Sequence, residues 1–248
     1  MPTRLRLTSI LTASLAGIAL VISPLLLGSC IGSTQTEQPT PDQQLQQRID
    51  TARRDARQRP DEVAAQLEWA KLLHLQGSLG NEDAAKQADR LLQQLHQAHP
   101  DHPRVKAYAA AATMMRAERT FLPWKKGKLV KKGGKMIERA MELAEQTPAQ
   151  DQLEVRYVRA LSAASLPPWM EQGEIARREF AELAQVAEEA ASNGELSPQQ
   201  AARVLLHHAT ALHDRGDPKA AKRALRKAVD LSPDSHAGAE ARRMLNEM

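Results

Sequence analysis

Cys30 is the single thiol of a 248-residue chain, and Leu27-Gly28-Ser29 leads directly into it. The two small residues leave the backbone open to a processing protease, so the spacing points to chemistry on that sulfur. A lone cysteine has no partner for a disulfide framework. The second concentration of reactive groups is the run 122–135, where Lys125, Lys126, Lys128, Lys131, Lys132 and Lys135 stand with no acid between them. Glycine-rich, lysine-bearing segments cradle phosphates when they follow a strand and end in Gly-Lys-Ser/Thr. Here the spacing from Gly127 gives no Gly-Lys, Met136 takes the hydroxyl position and no strand precedes, so a nucleotide loop is excluded. Two readings remain for these lysines, taken as a loop between helices. One is a solvated insertion; the other is a basic patch for anionic lipid head groups, lipopolysaccharide phosphates or an acidic partner. Leu122-Pro123-Trp124 recurs as Leu166-Pro167-Pro168-Trp169. Either each tryptophan plugs its own turn, or Trp124 and Trp169 share an edge as aromatic anchors.

The remaining candidates carry less. His96, His99 and His102 straddle Pro100 without a supporting carboxylate or cysteine, and His207, His208 and His213 fall on different faces of one helix. No metal site is expected from either group. No nucleophile elbow or zinc-protease motif occurs, and the carboxylates sit at helix-surface spacings beside Lys and Arg. An envelope enzyme acting on cell-wall material is the competing function class, without a catalytic constellation to support it.

Residues 1–29 have the three parts of an export signal: basic Arg4 and Arg6, an uncharged apolar stretch from Leu7 to Leu27, and small residues before the cysteine. The alternative is a retained anchor, since roughly 20 residues span a bilayer, but Ser9, Thr12, Ser14, Ser23 and Pro24 interrupt the stretch. Leu27-Gly28-Ser29-Cys30 resembles the bacterial lipobox. That resemblance implies a diacylglycerol on the Cys30 thiol, cleavage before Cys30 and N-acylation of the new terminus, with no other cofactor. Ile31, not Asp, follows the cysteine, which by the same resemblance implies the outer rather than the inner membrane, on the periplasmic side. Residues 30–43 then read as a polar tether with almost nothing to bury.

The formal charge is +4, of which Arg4 and Arg6 account for two. So small a surplus argues against nucleic acid. Ala and Leu dominate the apolar residues, only 3% of the chain is aromatic, and Gln, Arg, Glu and Lys fill the intervening positions. These are helix formers, so residues 44–248 are expected to be all-α. Apolar periodicity divides them into helices over 44–59, 61–76, 83–98, 104–120, 135–146, 151–165 and 171–192, a helical unit over 202–233, and a polar closing helix over 236–246. Pro60, Pro100, Pro148 and Gly194 mark ends, and the extra length of the earlier units is expected between their paired helices.

Residues 202–233 carry the sharpest pattern. Leu205, Ala209 and Leu212 lie along one helix, Gly216-Asp217 makes a turn, and Ala221, Leu225 and Ala228 share one face of the next before Leu231-Ser232-Pro233 ends it. His208 stands where a Leu is usual. This pattern resembles the tetratricopeptide repeat, and Trp69, Ala70 and Leu73 before Gly77 fit its first helix less fully. The resemblance implies a right-handed α-solenoid of degenerate helix-turn-helix units whose first helices line a concave groove; an irregular helical bundle is the alternative. By helical phase the groove residues are Tyr108, Met115, Arg116, Tyr157, Arg203, Leu206 and His213. The function expected is a lipid-anchored scaffold that holds an envelope protein or peptide beside a membrane.

Overall fold

A computed structural model describes residues 39–166 and 172–248. Leu27, Gly28, Ser29, Cys30 and Trp169 lie outside the described residues, and so do the lipobox and the expected pairing of the two tryptophans. Within them the chain is all-α, in ten helices: α1 Pro41–Gln58, α2 Val63–Ser78, α3 Glu82–Ala98, α4 Pro103–Glu118, α5 Pro123–Ala144, α6 Ala149–Ala164, α7 Gly173–Ser192, α8 Pro198–Asp214, α9 Pro218–Leu231 and α10 His236–Glu247.

The sequence starts these helices with local chemistry. Pro occupies the first turn of α1, α4, α5, α8 and α9, where its missing N–H costs nothing and its fixed φ suits the helix. Thr40 with Gln43 and Ser197 with Gln200 form capping boxes. Asn81, Asp217 and Ser235 accept from the backbone N–H of Ala84, Ala220 and Gly238 at 2.9, 2.9 and 3.1 Å. Gly216 closes the α8–α9 turn at φ 80°, a conformation that side-chain-bearing residues avoid.

Successive helices pack as pairs: α2 with α3, α4 with α5, α6 with α7, α8 with α9. Each pair also meets the next, through α3 with α4, α5 with α6 and α7 with α8. The first helices form their own row, with α4 touching α2 and α6, and α8 touching α10. This is the order of a helical-repeat solenoid. Its two ends meet, since α1 contacts α10 and His236 Nε2 faces Asp42 Oδ1 at 3.1 Å.

Small residues make the close packing possible. Ala70, Ala88, Ala107, Ala160, Ala209 and Ala228 are fully buried, while Ile49, Leu92, Leu183 and Leu225 fill the space between helices. Each fully buried Leu contributes roughly 1.5–3 kcal/mol. Helix α4 is surrounded on nearly all sides, with Ala107 through Met114 all buried. Gln38–Met248 form one compact unit with this core inside it, so the segment is equipped to fold by itself.

Several expectations are corrected. Lysines 125–135 are not a loop: α5 begins at Pro123 and carries them in its first four turns. Pro123 starts a helix instead of breaking one. Gly133 serves a helix crossing, because a Cβ there would meet Met114 Cγ at 2.6 Å and the Ala110 carbonyl oxygen at 3.0 Å. The extra length of that unit is therefore in the helix, not in the connection, which spans only 119–122. Likewise Gly77 belongs to α2, where a Cβ would stand 2.7 Å from Ala85, and the turn is confined to 79–81. Helix α8 also starts earlier than the 202–233 unit, at Pro198.

Candidate functional site

The row of first helices, flanked by α1 and α10, lines a half-open cavity of about 810 Å³. Its walls follow helical spacing. Helix α2 contributes Glu68, Lys71 and Leu75, α4 Tyr108, Ala111 and Met115, α6 Tyr157, Val158 and Leu161, and α8 Gln200, Arg203 and His207. The sets recur every three or four residues, apart from the adjacent Tyr157 and Val158, one helix face apiece.

Tyr108, Met115, Tyr157, Arg203 and Leu206, predicted as groove residues, all line this cavity. Arg116 does not: it lies one position beyond Met115, and its Nη1 reaches Asp89 Oδ2 on α3 at 3.4 Å. His213 lies nearly two turns beyond Leu206, half exposed, with Nδ1 3.9 Å from Asp214.

Beneath the tyrosines lies a polar network that the sequence reading missed. The Glu154 carboxylate is 2% exposed. It pairs with Lys71 Nζ at 2.5 Å and Arg104 Nη1 at 3.2 Å, and accepts from Tyr108 Oη at 3.1 Å and Gln200 Nε2 at 3.3 Å. Arg104 also holds Asp151 at 2.8 Å and Lys71 holds Glu68 at 3.1 Å. Four helices are thereby tied at one point. Burial pushes the Glu154 carboxyl up, but Lys71 and Arg104 outweigh it and hold the group below the usual carboxylate range. Burial pulls the Lys71 ammonium down, and Glu154 and Glu68 together leave it raised. Tyr108 sits well above the ordinary phenol value, from burial first and then the Glu154 charge. With its charge matched and its oxygens occupied, Glu154 serves as a structural anchor. A signal for it existed, since it lies one helical turn before Tyr157 on the same face.

The other wall carries charge that no carboxylate answers. The Arg203 charge acts on Tyr157, against the burial that raises that phenol, and among the described residues no acid lies within ion-pair distance of Arg203. Desolvation, with Arg203 and then Arg119 nearby, lowers the His74 imidazole to about 4. Desolvation and Arg203 lower His207, stacked on Phe180 at 4.5 Å, to about 4. Both are neutral at pH 7. His74 lines the cavity, and its Nδ1 is buried without a hydrogen-bond partner. Arg203, without an ion-pair partner, and the apolar surfaces of Met115, Leu206, Leu161 and Leu75 therefore face one space, which Glu118, Asp234 and Glu240 also line.

Outside the cavity, Trp124 is 63% exposed and Phe121 99% exposed, so Trp124 plugs no turn. Lys125, Lys128, Lys131, Lys132 and Lys135 are exposed on α5, with Lys126 half-buried. Among the described residues no group of His, Cys, Asp and Glu could hold a metal ion, and no helix is long and apolar enough to cross a membrane.

Residues 202–235, which run from within α8 through α9 to the cap of α10, match the family model described as tetratricopeptide repeat. No curated protein and no solved structure matches the chain. Repeats of this kind generally bind protein partners, which the position of α8 on the cavity wall accommodates.

Proposed function

We propose that the chain is a protein-interaction scaffold whose cavity between the first helices holds a segment of a protein partner, and that a lipid on Cys30 tethers it to an envelope membrane. The observation that carries the first half is the unanswered Arg203 guanidinium in a cavity of about 810 Å³ walled by Tyr108, Tyr157, Met115 and Leu206. Aromatic and Arg side chains in a desolvated recess are the residue types that dominate protein recognition. A partner segment with an acidic group opposite Arg203 and an apolar side chain against Met115 and Leu206 satisfies both walls.

The second half rests on Leu27-Gly28-Ser29-Cys30 behind an uncharged apolar stretch. Two or three acyl chains on one residue give stable anchoring where one would not. Arg203→Glu tests the scaffold: partner capture from crosslinked cells is lost while thermal stability stays that of the parent, and equal loss of both shows a structural residue instead. For the anchor, blocking the lipoprotein signal peptidase makes a heavier precursor accumulate. A product whose mass never changes rejects lipidation and leaves the scaffold standing.

A further inference from the structure

Helix α5 carries a surface that the cavity does not explain. At the α-helical period, Trp124, Lys125, Lys128, Lys131, Lys132 and Lys135 fall within about a third of its circumference. Its buried residues, Gly133, Ile137, Ala140 and Ala144, occupy the opposite arc. The lysines therefore form a stripe about 16 Å long pointing away from the core. No acid interrupts it before Glu138. None of the six lysines makes an ion pair within the described residues; Glu118 interacts with half-buried Lys126. At the start of the stripe stand Phe121, 99% exposed, and Trp124, 63% exposed.

Such a surface needs an occupant that answers both features. Unpaired lysines in a row call for closely spaced negative charge, and bare aromatic rings call for a place that is neither water nor deep hydrocarbon. An anionic bilayer surface offers both at every point: head groups for the lysines, whose stems reach along the interface, and the head-group level where aromatic rings settle. A protein partner would need an acidic row with an apolar socket at one end only. We infer that the α5 stripe is a membrane-contact surface that lays the helical domain onto an anionic lipid face. The inference does not depend on Cys30 or on the cavity, and a lipid anchor would add to it.

The test uses Gln38–Met248, which lacks any site for the lipid, in low salt with vesicles of phosphatidylcholine containing phosphatidylglycerol. The parent sediments with these vesicles and stays in solution with phosphatidylcholine alone. Each lysine contributes about fivefold, so Lys128→Gln/Lys131→Gln/Lys135→Gln weakens binding on the order of a hundredfold. Trp124→Ala weakens it further. Because these side chains are exposed, helicity and melting temperature are unchanged in both variants. A control removing equal charge from α9, Lys219→Gln/Arg223→Gln/Arg226→Gln, keeps binding within a few-fold of the parent. Parent protein that ignores anionic vesicles overturns the inference. So does equal loss in the control, which shows general charge at work, and so does retention on an acidic polypeptide without vesicle binding, which shows a protein partner.

Discussion

Neutralising Glu154 tests whether the network under the cavity holds the repeats together. Glu154→Gln keeps the shape and an acceptor for Tyr108, but removes the charge that Lys71 meets at 2.5 Å and Arg104 at 3.2 Å. Breaking a buried ion pair from one side costs about 3–5 kcal/mol, because the partner's charge stays buried. Here each partner has a second carboxylate, Glu68 for Lys71 and Asp151 for Arg104, so the expected loss is about 2–3 kcal/mol. For a domain of this size that lowers the melting temperature by roughly 5–10 °C. Thermal and denaturant unfolding of Gln38–Met248, followed by circular dichroism, measures it. The double variant Lys71→Met/Glu154→Leu should recover most of the loss, since it leaves no unpaired charge from this pair. A Glu154→Gln protein within about 0.5 kcal/mol of the parent would refute the reasoning, as would a double variant less stable than the single one.

Acid should destabilise the fold through two imidazoles. Above pH 6.5, His74 and His207 are neutral in folded and unfolded chains alike. As pH falls from 6.5 to about 4, the unfolded chain takes up protons that the folded one refuses, so stability is lost across that window, by about 3 kcal/mol for the pair after allowing for partial exposure. His74→Gln should flatten the slope of stability against pH between 4 and 6.5, and an unchanged slope shows that His74 does not carry it. Gly127 and Gly238 should respond in opposite directions to alanine. A Cβ at Gly127 meets open space, so Gly127→Ala should stabilise α5 by about 0.5–1 kcal/mol. At Gly238 it would stand 2.0 Å from the Ser232 carbonyl oxygen, so Gly238→Ala should cost about 2 kcal/mol or more by forcing α10 off the end of α9. Equal melting temperatures for the two variants would remove the packing argument.

The pattern of Ala and Leu was enough to draw most of the helices, because most of them bury one face at a period the sequence displays. Pro123 and Gly133 were harder. Proline ends a helix from inside and begins one from its first turn, and nothing adjacent in sequence tells which. Gly133 answers to Met114 and Ala110 on another helix, a contact that local composition does not encode. The cavity residues were legible for a related reason: Tyr108, Met115, Tyr157, Arg203 and Leu206 follow from phase alone once the first helices are known to stack. Arg116 failed because one residue turns the side chain by about 100°, far enough to meet Asp89. Glu154 looked like one more surface carboxylate, and only the third dimension brings Lys71, Arg104 and Gln200 to it.

On the proposed function, partner and scaffold meet inside the row of first helices. A photo-crosslinking amino acid placed at Leu206, on the cavity wall, and separately at Arg223, exposed on α9, measures this in intact cells. A discrete crosslinked product is expected from position 206 and none from 223. The same product from both positions, or from 223 alone, would contradict it.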